Sequence, residues 1–147
     1  IGNGMYGALI VDPVTPRPAA KEIVLVQSEF YLGRPHGADS IRSLDWDKVL
    51  NQAPDYVVFN GLSSRYATHP VQVKVSEPIR IFLVNAGPNR ISSFHVVGAI
   101  FDRVYADGFG RPFDGMQTWN VPVGGGAVFD LRLAEAGLYP FVSHAMV

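Results

Sequence analysis

Four histidines, at positions 36, 69, 95 and 144, are the side chains in this sequence best suited to bind a transition metal or move a proton near neutral pH. No two of them stand in an HxH, HxxxH or HExxH spacing, so spacing alone specifies no metal site. His36 lies in Arg34-Pro35-His36-Gly37 and His69 in Thr68-His69-Pro70, turn-like contexts that read as solvated loops with no chemical role. His95 differs because strand alternation would put Ser93, His95 and Val97 on one face and Phe94 and Val96 on the other. Its imidazole therefore emerges from an otherwise apolar strand, either as a core group hydrogen-bonded to backbone or as part of a site. His144 follows Leu138-Tyr139-Pro140-Phe141-Val142-Ser143, at the end of a strand, where functional groups are common. With no cysteine in the chain, disulfides, zinc ribbons and thiol chemistry are excluded.

The elements that must position these groups are all of one kind. A chain of 147 residues can bury one sizeable core, and its 48% hydrophobic and 17% charged side chains are a globular composition. The 15 Gly and 11 Pro call for many tight turns. A net charge of −1, with no long run of either sign, leaves no electrostatic footprint for nucleic acid. No stretch reaches the ~18 apolar residues of a membrane span.

Met5 to Pro13 reads as one strand, residues 14–20 as a Pro-rich linker, and Glu22 to Tyr31 as the first strand of the domain proper. Asp45, followed by Trp46, Val49 and Leu50, predicts one short helix that Pro54 stops. Strands are expected at 56–59, 71–75, 79–84, 93–97, 101–105, 118–121, 127–133 and 138–143. Short strands with turn signals every ten or so residues imply an all-β, Greek-key sandwich.

The residues also carry a resemblance. Gly4-Met5-Tyr6-Gly7, Val26-Gln27-Ser28-Glu29-Phe30-Tyr31, Asp55-Tyr56-Val57-Val58-Phe59-Asn60-Gly61, Gly87-Pro88-Asn89, Ser92-Ser93-Phe94-His95-Val96-Val97-Gly98, Phe101-Asp102-Arg103-Val104-Tyr105 and Val121-Pro122-Val123-Gly124-Gly125-Gly126 occur in the order of the second domain of the copper-containing nitrite reductases, within the multicopper oxidase superfamily. This resemblance spans nearly the whole chain and implies a cupredoxin-like sandwich over residues 21–147 that lacks its final strand. Residues 1–13 would then be the terminal strand of a preceding cupredoxin domain.

For the site, the resemblance implies that Met5 is the axial ligand of a type 1 copper whose histidines and cysteine lie outside this chain. His144 corresponds to a type 2 copper ligand lent to the neighbouring subunit of a homotrimer. His95 corresponds to the active-site histidine that hands a proton to nitrite without binding metal. Val97 takes the place of a bulkier aliphatic residue that crowds the substrate, and Gln117 and Thr118 match the strand supporting His95. The function so implied is reduction of nitrite to nitric oxide, in the periplasm or outside the cell, by a protein that includes a first cupredoxin domain. Two other readings stand beside it: a laccase-like multicopper oxidase fragment, and a structural cupredoxin domain that is inactive when isolated. Laccase-type clusters need several His-x-His pairs, whereas this sequence has His95-Val96-Val97.

Overall fold

The β-branched run after the Pro-rich linker forms β1 (Lys21–Phe30), and the rest of the domain is laid against it. It is followed by β2 (Leu32–Pro35), β3 (Arg42–Leu44), α1 (Trp46–Leu50), β4 (Tyr56–Phe59), α2 (Arg65–Thr68) and β5 (Ile79–Asn85). Then come β6 (Ser92–Val96), β7 (Phe101–Ala106), β8 (Phe113–Met116), β9 (Thr118–Val121), β10 (Gly126–Leu131) and β11 (Phe141–Ser143). These elements are those of a computed structural model, which describes residues 1–37 and 41–145.

Six strands form a large sheet in the order β4-β1-β5-β10-β7-β8, and three form a small sheet in the order β11-β6-β9. The β1–β5 pair is parallel and the other ladders are antiparallel. The inner faces meet in one apolar core. Leu25, Ile81, Leu83, Val104, Phe129 and Leu131 come from the large sheet, and Phe94, Val96 and Val121 from the small one. At its centre Phe94 lies 4.9 Å from Phe129 and 6.0 Å from Phe101, ring centroid to centroid. The expected all-β cupredoxin-like sandwich is therefore what the chain forms.

β5 is buried on both faces, which explains its near-continuous apolar sequence. Its inward residues enter the core, while Phe82 and Val84 on the outer face line a groove with residues 8–13 of the amino-terminal segment. The buried Arg80 is held by Asp130, its cross-strand partner on β10, at 2.8 Å and by the Pro18 carbonyl at 3.1 Å. A charge so enclosed is tolerable because both the ion pair and the extra hydrogen bond accompany it.

The structure departs from the sequence reading in particular places. Residues 5–13 pair with no strand among the described residues, because the segment lies across the face of the large sheet rather than along an edge where a ladder could form. Val71 to Val75 also forms no ladder: Val71 and Val73 turn inward as alternation requires, but only Ser76, beyond the run, bonds to the backbone of Leu133. The β2–β3 hairpin, α2 and β8 are additional elements, all short and at the margins of the core. The helix at 46–50 is as expected, with the Asp45 carboxylate capping the Lys48 amide.

Candidate functional site

The small sheet carries its chemistry on the face turned away from the core. Phe94 and Val96 are buried, while His95 between them is half-buried and Val97 is exposed, so the period-two pattern is realised residue by residue. Gly98 then reverses the chain. Its φ of +82° favours glycine, and a Cβ there would meet the Tyr139 ring at 3.5 Å. The Val97 amide donates to the Pro140 carbonyl at 2.8 Å, which holds residues 138–140 beside the turn.

Register does the rest of the positioning. His95 stands opposite Thr118 on β9 and Val142 on β11. The His144 amide donates to the Ser93 carbonyl at 2.9 Å, extending the β6–β11 pairing one step past the strand end. Ser143 secures that step, since its Oγ accepts from the Ser93 amide at 3.1 Å and from the Ala145 amide at 3.3 Å. The exposed His144 ring consequently sits beside His95, with centroids 5.2 Å apart and planes inclined at 39°.

The orientation of His95 follows from one hydrogen bond. Its Nδ1 is 2.6 Å from the backbone carbonyl of Gln117, which can only accept, so Nδ1 carries the proton and Nε2 is left as the lone-pair nitrogen of the neutral ring. Thr118 Oγ1 lies 3.5 Å from the same Nδ1, a longer contact at the edge of hydrogen bonding. Gln117 thus acts through its main chain, and its exposed side chain takes no part in this bond.

The structure brings His95, His144, Gln117 and Thr118 together, and Val97 is exposed one residue past the end of β6. It does not bring Met5 into that group. Met5 is 86% exposed, in a segment whose continuation lies against the outer face of the large sheet. His36 and His69 are exposed loop residues, the latter 3.0 Å from Thr68 Oγ1. The contributor missed from sequence is Ser143, whose hydroxyl fixes the backbone of the histidine that follows it. A serine directly before the terminal histidine is the only signal that could have pointed to it.

Among the described residues no group of three or more His, Cys, Asp or Glu side chains could enclose a metal ion. One side chain here fits the edge of a copper site, the exposed imidazole of His144, while His95 beside it keeps Nε2 open to proton exchange because Nδ1 is tied back. The remaining ligands of any such site would have to come from outside these residues.

No protein-family model matches the chain. A curated copper-containing nitrite reductase of Neisseria gonorrhoeae is 38% identical over 148 aligned residues, covering 99% of this chain and 38% of the relative. The chain therefore spans less than half the length of the curated relatives it matches. Among solved structures, a copper nitrite reductase from Nitrosomonas europaea superposes with a TM-score of 0.82 at 33% identity, covering 99% of this chain and 52% of the other. A multicopper oxidase superposes with a TM-score of 0.73 at 28% identity, covering 92% of this chain and 42% of the other.

Proposed function

We propose, for a chain homologous to copper-containing nitrite reductases along 99% of its length, that residues 21–147 are the second cupredoxin domain of such an enzyme. In this reading residues 1–13 belong structurally to a preceding domain, and residues 14–20 link the two. The complete protein reduces nitrite with one electron and two protons to nitric oxide and water. The observation that carries the reading is the His95–His144 pair, two imidazoles 5.2 Å apart on an exposed sheet face, one of them oriented by a backbone carbonyl.

His144 would hold the type 2 copper from across a subunit boundary in a homotrimer, with the other ligands supplied by the first cupredoxin domain of a neighbour. When bound, copper supplies Lewis acidity and the one-electron step. The part of His95 is proton transfer. With Nδ1–H fixed on the Gln117 carbonyl, Nε2 takes up a proton from solvent, and the imidazolium then donates it to a nitrite oxygen. The same carbonyl accepts from Nδ1 in both protonation states, so the ring need not flip between uptake and delivery. Val97, 43% exposed and two residues beyond His95, would form the apolar wall of the substrate pocket, and Thr118 would steady the His95 ring.

Met5 would supply a thioether ligand to the type 1 copper, whose remaining ligands would lie in the first domain. No helix among the described residues is long and apolar enough to cross a membrane. The proposed location, as the resemblance implies, is the periplasm or the cell exterior.

The multicopper oxidase similarity gives the laccase-like reading its support. Against it stands the lack of His-x-His pairs on β6. The test uses the complete protein: His144→Ala should abolish the type 2 copper signal in electron paramagnetic resonance and leave the blue absorption band. Copper retained at that site would overturn the assignment. The isolated 147-residue chain, with one proposed ligand to that site, should bind no stoichiometric copper; a three-nitrogen signal from it would defeat the reading as well.

A further inference from the structure

The turn after β6, which carries Val97, is fastened to the segment entering β11 by one aromatic ring. Tyr139 is half-buried although Leu138 and Pro140 on either side of it are exposed, and its ring packs against the apolar core. It lies between two glycines. A Cβ on Gly98 would stand 3.5 Å from Cδ1 and Cε1, and one on Gly137 would stand 3.3 Å from Cε2, so the glycines meet opposite edges of the ring. The phenol donates to the Glu135 carbonyl at 3.0 Å and closes residues 135–139 around the ring.

What the ring holds in place is the exit of β6. The Val97 amide donates to the Pro140 carbonyl at 2.8 Å, and the Ala99 amide donates to the Val96 carbonyl at 3.0 Å, so the backbone is tied on both sides of Gly98. Both bonds lie outside the strand ladders, where local opening is easiest unless a side chain packs over them. Tyr139 is placed to do that. The His144 end of β11 is secured separately, by its own amide on the Ser93 carbonyl and by the Ser143 hydroxyl. Val97 therefore depends on residues 135–140 in a way that His144 does not.

We propose that Tyr139 is a positioning residue for the apolar wall of the anion pocket: wedged between Gly98 and Gly137, its ring keeps the Val97 amide on Pro140 and so sets how closely the Val97 methyls approach a bound anion. The identity of that anion rests on the nitrite reductase reading given above, whereas the wedge does not. Held close, the wall fits an anion as small as nitrite. Released, it loses that contact in the ground state and the transition state alike, which raises KM and leaves kcat nearly as it was.

The experiment has two arms. In the 147-residue chain, Tyr139→Ala should make the Val97 amide exchange with solvent on the order of tenfold faster, while the His144 amide keeps its protection. In the complete protein it should raise KM for nitrite on the order of tenfold, the scale of one methyl group's contact in a pocket, with kcat changed less than about twofold. Type 2 copper should still load fully, as read by electron paramagnetic resonance. Tyr139→Phe keeps the ring and loses only the bond to Glu135, so it should rescue both the protection and KM. Gly137→Ala removes no side chain and needs no left-handed backbone, but its methyl presses on the ring. It should shift the Gly98 and Val97 amide resonances and raise KM by a smaller factor.

Unchanged Val97 exchange in Tyr139→Ala would overturn the proposal, and so would faster exchange with an unchanged KM. Loss of type 2 copper would overturn it by showing that Tyr139 acts on the His144 end of β11. Failure of Tyr139→Phe to rescue would overturn it in favour of the hydroxyl as the holding group. Should Tyr139→Ala not fold, Gly137→Ala decides alone, and unshifted resonances with an unchanged KM would overturn the proposal. An unaltered complete protein that does not reduce nitrite would overturn the domain reading and with it the identity of the anion, a failure that the exchange arm tells apart from failure of the wedge.

Discussion

The small sheet and the amino-terminal segment each present a residue that the family resemblance connects to copper, and they hold it in opposite ways. His95 and His144 project from a sheet whose other face is welded into the core by Phe94, Val96 and Phe141, and three hydrogen bonds, one of them between backbone groups, set their positions. Met5 stands 86% exposed in a segment with no ladder among the described residues. A side chain on a paired strand inherits its place from the core beneath it. One on an unpaired segment needs its surroundings to place it.

The largest test of this contrast removes the core support. Phe94 is fully buried and contacts the aromatic rings of Phe59, Phe101, Phe129 and Phe141. Phe94→Ala should cost about 3–5 kcal/mol of stability, measured by urea denaturation, through lost burial and an incompletely collapsed cavity. Nuclear magnetic resonance should show the His95 and His144 environments disturbed and that of Met5 unchanged. A loss under about 1 kcal/mol would mean that the histidine face does not depend on this core, and the comparison would break.

A smaller effect should come from pH. The loop leading into β6 is pinned by the buried Glu29 carboxylate, which accepts from the Asn89 amide at 3.0 Å and the Arg90 amide at 2.6 Å. Tyr31 donates its hydroxyl proton to the same carboxylate and accepts from Asn89 Nδ2 at 2.8 Å. Burial, with the hydrogen bond to Glu29, pushes the Tyr31 phenol up from 10.0 to about 12. The unfolded chain thus loses this proton first: stability is intact below about pH 10 and falls as the pH rises from there toward 12, by on the order of 2 kcal/mol. In Tyr31→Phe this alkaline loss should vanish, and denaturation midpoints measured across the range would show it. If the loss persists in Tyr31→Phe, another group is responsible.

What was legible in the sequence divides along the same line. The face of His95 could be read from Phe94 and Val96 because a half-buried strand imposes a period of two, and the helix at 46–50 could be read from its Asp45 cap. The approach of His144 to His95 could not, since it depends on pairing residues about fifty positions apart, and only the family resemblance suggested a shared site. Val71 to Val75 shows why alternation is insufficient: two of its valines do turn inward, but no neighbouring edge completes a ladder. Residues 5–13 fail as a strand for the same reason. Gln117 meets His95 through its main-chain carbonyl, and a carbonyl contribution leaves no mark on residue type.

The smallest expected effect is at Met5, and its smallness is informative. Because the side chain is 86% exposed, Met5→Ala should change the stability of the 147-residue chain by no more than about 0.5 kcal/mol in urea denaturation. In the complete protein the same substitution should alter the blue absorption band and shift the type 1 potential, because the thioether proposed as a ligand there would tune that site without being needed to fold this domain. Type 2 copper loading, for which His144 is the proposed ligand, should remain at full stoichiometry. A stability loss above about 1 kcal/mol in the isolated chain would show that Met5 is packed by this domain after all, and the contrast between the two regions would then be one of degree. An unchanged blue band in the complete protein would leave Met5 without a metal role, while leaving the argument from His95 and His144 as it stands.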